Sequence, residues 1–182
     1  MSEAPIHIVA YDPTWVAKFE TEKALLETLL APWRRGPIEH VGSTAVPGLC
    51  AKPVIDVMVG VASLAESEPA KDALCRAGYQ YAEYMTEVMH WFCKPSFAMR
   101  THHLHLIPYG SRLWHDRLKF RDLLRTDSTL AGEYAALKFE LASRFEFDRE
   151  AYTYGKTPFI IRALALRAPA AERRSVSRRI RI

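Results

Sequence analysis

Cysteine is scarce in this sequence, and its three copies are scattered. Cys50, Cys75 and Cys93 form neither a Cys-x-x-Cys metal pair nor the even set of a disulfide framework. A reduced, cytoplasmic setting is the expectation. Long apolar runs are lacking too: no stretch reaches the ~20 residues that span a bilayer, which excludes a transmembrane helix and a membrane partner. The opening residues, MSEAPIHIVAYDP, carry an acid at Glu3 and no apolar segment, so they do not read as a secretion signal. Internal repeats and linker-like stretches are missing as well. The expected organisation is one domain over residues 1–167 and a basic tail over 168–182.

The body also lacks any excess of charge. The net charge is +4, and the tail accounts for all of it: Arg173, Arg174, Arg178, Arg179 and Arg181 stand against Glu172 alone. A basic pI is therefore a property of the tail. Such a terminus reads as solvated and flexible. The competing reading is a nucleic-acid arm, but no aromatic residue from 173 onward interleaves the arginines to stack bases.

What is present is an ordinary core-forming composition. Of 182 residues, 49% are hydrophobic and 25% charged, enough to bury a real core. Asp12-Pro13 has the chemistry of a helix start, and Trp15, Phe19, Leu26 and Leu30 follow at near-helical spacing up to Pro32. IEHV at 38–41 predicts a short strand. VIDVMVGV at 54–61 predicts a central strand buried on both faces. A helix is expected over about 69–77, stopped by Gly78, and then two or three strands before Pro108, among them EVMHWFCK and THHLHLIP. Ser111, Asp127 and Thr157-Pro158 open three later helices, the second with Leu130, Tyr134, Leu137, Leu141 and Phe145 on one stripe. The order predicts an α+β fold (an α/β sandwich): a small mixed sheet flanked by helices, with a helical C-terminal layer.

One stretch concentrates chemistry: HVGSTAVPGLCAKPVID, residues 40–56. A Gly-Ser turn directly after a strand can bring backbone N–H groups and a hydroxyl to a phosphate. Gly42 allows close approach, Ser43 and Thr44 add donors, and Lys52 adds positive charge. Asp56 lies mid-strand, where an unpaired carboxylate is costly. A bound cation, or a Lys or Arg partner, would make that position tolerable. The stretch reads equally as a phosphate-and-metal corner or as two ordinary turns beside an ion-paired Asp. His103 and His105 tip the balance toward function. They alternate on one strand face with Arg100 just upstream, and imidazole can ligate Zn, Mn or Fe or donate to a phosphate. His90 and His115 read as structural. Glu87 is a weaker candidate carboxylate.

YDPTW at 11–15, HVGSTAVPGLCAKPVIDVMV at 40–59, HHLHL at 102–106, LKFRDLLR at 118–125, YAALK at 134–138 and YGKTPFI at 154–160 together resemble the GrpB family. The family is considered similar to the nucleotidyltransferase superfamily, so the resemblance implies a nucleotidyltransferase-like fold. The implied activity is transfer of a nucleoside monophosphate from an NTP to an acceptor. On that reading Gly42, Ser43, Thr44, Lys52 and Arg100 bind nucleotide phosphates. Asp56 and Lys52 act in catalysis, and Asp56, His105 and His103 hold a divalent metal (Mn, Mg or Zn). The superfamily's paired acids, of pattern acid-x-acid, are incomplete here. If Asp56 is the second, the first falls on Val54; if it is the first, the second falls on Met58. His105 stands where a third acid is expected. One Asp with two His suits one borderline metal better than two Mg²⁺ ions. Two alternatives remain open. One is a non-catalytic nucleotide-binding or folding-assistance module, as implied by resembling domains fused to dephospho-CoA kinase. The other is a phosphoester hydrolase using the same site.

Overall fold

The computed structural model describes residues 5–166, so the expected tail and its boundary lie outside the described residues. Helix α1 spans Thr14–Leu29. The Asp12 carboxylate accepts from the Thr14 backbone N–H at 2.9 Å and the Thr14 hydroxyl at 2.7 Å, the capping role expected from Asp-Pro. Strand β1 (Arg34–Val41) starts four residues earlier than the IEHV segment suggests. A one-turn 3₁₀ segment, Ser43–Ala45, links it toward β2 (Ile55–Val61). Then come α2 (Ala70–Arg76), β3 (Gln80–Ala82), β4 (His90–Pro95) and β5 (Arg100–Pro108). The EVMHWFCK strand thus begins only at His90, because residues 83–89 form a turn-rich connection.

The C-terminal layer is α3 (Arg112–Thr126), α4 (Ser128–Arg144), α5 (Arg149–Gly155) and α6 (Thr157–Leu166). Ser111 Oγ accepts from the Trp114 N–H and Asp127 Oδ1 from the Leu130 N–H, so both expected caps form. Helix α5 is an addition to the sequence reading. Asp148 caps it, its carboxylate accepting from the Ala151 N–H at 2.9 Å. Among the described residues no helix is long and apolar enough to cross a membrane.

The five strands form one mixed sheet in the order β1-β2-β5-β4-β3. β2 lies antiparallel to β1 and parallel to β5, and β4 lies antiparallel to both β5 and β3. Period-2 alternation divides β2 between two cores. Ile55, Val57, Val59 and Val61 pack with Trp15, Phe19, Leu26 and Leu30 of the α1 side and Leu74 of α2. Met58, on the opposite face, packs with Val41, Trp91, Ile107 and Trp114 on the α3 side. Asp56 shares that second face. The Pro-Gly-rich link after the 3₁₀ turn is anchored separately, Val46 and Leu49 packing with Leu124, Tyr134, Phe159 and Ala163 of α3, α4 and α6. The helical layer therefore closes over the sheet face that carries Asp56.

Candidate functional site

Register brings the chemistry together. In the antiparallel pair Val41 lies opposite Asp56, so the next residue, Gly42, passes over the Asp56 carboxylate. Gly42 has φ +71° and ψ −172°, backbone that glycine adopts and other residues avoid. A Cβ there would overlap Asp56 Oδ2 and lie 3.0 Å from Cγ. Conformation and space both require glycine.

In the parallel pair Asp56 lies opposite His103 and Met58 opposite His105. His103 Nδ1 is 2.9 Å from Asp56 Oδ1, and His105 Nε2 is 3.6 Å from the same oxygen. One ligand atom from each of the three residues falls within 4.8 Å of the others. His103 Nε2 and both ring nitrogens of His105 are buried and have no hydrogen-bond partner. Burial drives the Asp56 carboxyl upward, yet the hydrogen bond to His103 and the nearness of His105 outweigh it and hold the group well below the usual range. Burial, opposed by Asp56, lowers His103. Burial and then the charge of Arg117 push His105 down to about 3. At neutral pH the cluster is one carboxylate and two neutral imidazoles, each with a lone pair to offer.

The turn above this cluster is braced from behind. His40, stacked on Phe19 with ring centroids 4.6 Å apart, reaches Thr44 Oγ1 with Nε2 at 3.0 Å. The Thr44 hydroxyl in turn donates to the Val54 carbonyl at 3.2 Å. Thr44, expected to offer its hydroxyl to a phosphate, is buried with that hydroxyl committed to holding the turn against β2. Only its backbone remains for a ligand. From α3, Arg125 donates Nε and Nη2 to the Ala45 carbonyl at 3.0 and 2.8 Å, and Arg121 donates to the His40 carbonyl at 3.1 Å.

A cavity of about 670 Å³ opens over the cluster, within the size range of small-molecule sites. All eight residues expected to bind phosphate or metal line it: Gly42, Ser43, Thr44, Lys52, Asp56, Arg100, His103 and His105. Glu87 is exposed and outside it. His90 is buried with Nε2 3.0 Å from the Leu64 carbonyl oxygen, a structural role. The structure adds residues that the sequence did not single out. Lys156, at the α5–α6 junction, lies 4.5 Å above the Tyr152 ring, and Lys52 lies 4.6 Å from the same ring. Burial and then the charge of Lys52 bring Lys156 down to about 7, with Asp56 opposing. Tyr134 and Arg117 also line the cavity. Lys156 stands inside the YGKTPFI segment, and Asp148 is the cap signal that could have marked α5. Arg117 is one of four α3 arginines and carries no local signal of its own.

The GrpB protein family pattern matches residues 5–165. The glutamate-rich protein GrpB of Alkalihalophilus pseudofirmus is 33% identical over 165 residues, covering 88% of this chain and 94% of that one. A UPF0157 protein of Pseudomonas aeruginosa is 42% identical over 173 residues, covering 92% and 69%. A dephospho-CoA kinase of Mycolicibacterium paratuberculosis is 29% identical over 188 residues, 87% of this chain but only 45% of the kinase. Among solved structures, the conserved protein GrpB from Enterococcus faecalis superposes with a TM-score of 0.77 at 31% identity, covering 87% of this chain and 94% of that one. A chain of the GLD-2/RNP-8 complex superposes with a TM-score of 0.58 at 10% identity, covering 95% and 70%, a likeness of fold alone. The five-stranded mixed sheet with flanking helices is the nucleotidyltransferase-like α+β fold expected from the sequence. With a family match over nearly all of the described residues and a solved relative of the same architecture, this chain belongs to the GrpB protein family.

Proposed function

We propose that the cavity is a metal-dependent nucleotide site carrying out nucleotidyl transfer from an NTP. The observation that carries the reading is the Asp56–His103–His105 cluster at the floor of a cation-lined cavity, directly beneath the Gly-Ser-Thr turn. The residues fit a metal: three buried imidazole nitrogens lack partners, and two nitrogens with one carboxylate oxygen suit Mn²⁺ or Zn²⁺ better than Mg²⁺. Asp56, His103 and His105 would hold the ion. When bound, it supplies positive charge against the phosphate undergoing substitution.

The chain's own residues do the rest. The Ser43 and Thr44 N–H groups open the 3₁₀ turn without partners inside it and meet phosphate oxygens together with the Ser43 hydroxyl. Lys52 and Lys156 balance the distal phosphates, and Arg100 adds a further positive charge to the cavity lining. In the reaction an acceptor oxygen bonds to the α-phosphorus as the bond to pyrophosphate breaks. The acceptor proton passes to water, and charge grows on the leaving pyrophosphate, where the two lysines stand. The apolar strand core behind Asp56 keeps bulk water from one side of the site.

The test is calorimetric titration of ATP with Mn²⁺ or Mg²⁺. Wild type should bind more tightly with Mn²⁺. Asp56→Asn should lose the dependence on metal, and Lys52→Ala should weaken triphosphate binding more than monophosphate binding. No ATP binding with either metal rejects the nucleotide site. A second reading, a non-catalytic module assisting a dephospho-CoA kinase, is favoured by two observations. The β2 site face offers a single carboxylate, with Met58 fully buried two residues on, and a dephospho-CoA kinase is among the relatives. Release of labelled pyrophosphate separates the two readings. Transfer of the group to water, with no added acceptor, would instead identify a hydrolase.

A further inference from the structure

Part of the cavity lining is unused by this reading. The 83–89 connection, β4 and the first turns of α3 form a wall of Tyr84, Met85, Val88, Trp91, Leu113 and Arg117. Leu113 and Arg117 are four residues apart and so share one helix face. One turn further along, Arg121 and Arg125 are committed to the backbone of the His40–Ala45 segment. Arg117 is not committed in that way. Among the described residues its Nε is buried with no partner, and the hydrogen-bond partner of its Nη2 is the Met89 sulfur, at 3.7 Å. Among the described residues no carboxylate lies within 4.0 Å of its guanidinium; the carboxylate that acts on it, Asp56, is held by the two histidines.

A partly buried guanidinium whose Nε is shut away from solvent without an oxyanion partner is costly to maintain. Its planar fork matches the geometry of a phosphate or carboxylate. Beside it stand the rings of Tyr84 and Trp91, edge to face with centroids 6.3 Å apart. Arg100 lies 5.3 Å over Trp91 and 6.0 Å over Phe97, so Phe97 extends the aromatic surface. A ligand complementary to this wall carries an oxyanion at one end and a planar ring at the other.

We propose that Arg117 anchors a second subsite, separate from the Gly-Ser-Thr turn, which takes the oxyanion and planar ring of the molecule that accepts the transferred group. Only the term acceptor rests on the nucleotidyl-transfer reading; the subsite itself does not.

The full chain is titrated with phenyl phosphate, benzoate and phenol in EDTA, and then with phenyl phosphate under saturating ATP and Mn²⁺. Phenyl phosphate should bind at least tenfold more tightly than phenol, which has the ring without the oxyanion. A comparison with benzoate then says whether phosphate or carboxylate is the natural group. Arg117→Gln should weaken phenyl phosphate binding tenfold or more, and Arg117→Lys should restore part of the loss. Equal binding by Arg117→Gln and wild type overturns the proposal. If Arg117→Gln does not fold, the wild-type competition still decides. Phenyl phosphate affinity should survive saturating ATP and Mn²⁺, and displacement by ATP would assign Arg117 to the nucleotide's own phosphates and overturn the separate subsite. Arg117-dependent phenyl phosphate binding without any metal-dependent ATP binding would overturn nucleotidyl transfer while upholding the anion subsite.

Discussion

Replacing Gly42 with alanine perturbs two quantities that the structure makes separable. The first is backbone strain. At φ +71° and ψ −172° an alanine occupies a region that side-chain-bearing residues avoid, which costs about 1–3 kcal/mol. The second is collision. The new methyl overlaps Asp56 Oδ2 and sits 3.0 Å from its Cγ and 3.1 Å from its Cβ, an overpacking worth roughly 1–3 kcal/mol in a close-packed site. The sum is about 2–6 kcal/mol. In a chain of this size that lowers the melting temperature by roughly 4–24 °C. Relief by displacing the carboxylate would break its contacts with His103 and His105, so Mn²⁺ or Zn²⁺ binding falls together with stability. Asp56→Ala in the Gly42→Ala background removes Oδ2 and Cγ but keeps the Cβ contact. It should therefore recover the collision part, about 1–2 kcal/mol, and none of the strain. Thermal melts of the four proteins of this cycle, with metal titrations of the two that keep Asp56, measure both parts. A Gly42→Ala protein that melts with wild type and binds metal normally would refute the reasoning about how the turn and the carboxylate share space.

The folded protein also responds to pH through His40. Burial holds it down to about 4, with Arg125 and Arg121 lowering it further and Asp56 opposing, whereas the unfolded imidazole titrates near 6.5. The unfolded chain thus takes the proton first. Stability from neutral His40 is complete above pH ~6.5 and drains as pH falls toward 4, by about 3 kcal/mol. Urea melts of wild type and His40→Gln should converge over that window, and parallel curves would show that His40 does not titrate as described. Arg125→Gln removes the two donors on the Ala45 carbonyl and should cost about 1–2 kcal/mol in a urea melt. It should also weaken ATP binding, because the turn loses its brace; unchanged ATP affinity would show that the turn holds its shape without α3.

Local chemistry was sufficient for much of the fold. Asp12, Ser111 and Asp127 mark helix starts because a capping carboxylate or hydroxyl acts within three residues of its own position, and each does so here. The run from Ile55 to Val61 predicts a strand buried on both faces because nearly every position is apolar, and that is what it forms. Asp56 and the two histidines were legible as chemistry for the same reason: a carboxylate inside an apolar strand demands a partner. Short elements were less legible. The seven-residue helix α5 has too few positions to show a period, and with it went Lys156 and Tyr152. The engagement of the Thr44 hydroxyl by His40 and the Val54 carbonyl was not legible, because strand pairing chooses those partners. Alternation alone determines that His103 and His105 share a face, and the parallel register with β2 decides that this face is the one carrying Asp56. His102, one residue away, points to the other side of the sheet, 3.9 Å from Glu22 of α1. Periodicity is a property of the backbone and can be read from residues in order. Register depends on contacts between segments tens of residues apart, so a slip of one position would have exchanged the two faces, and only the packed sheet excludes it.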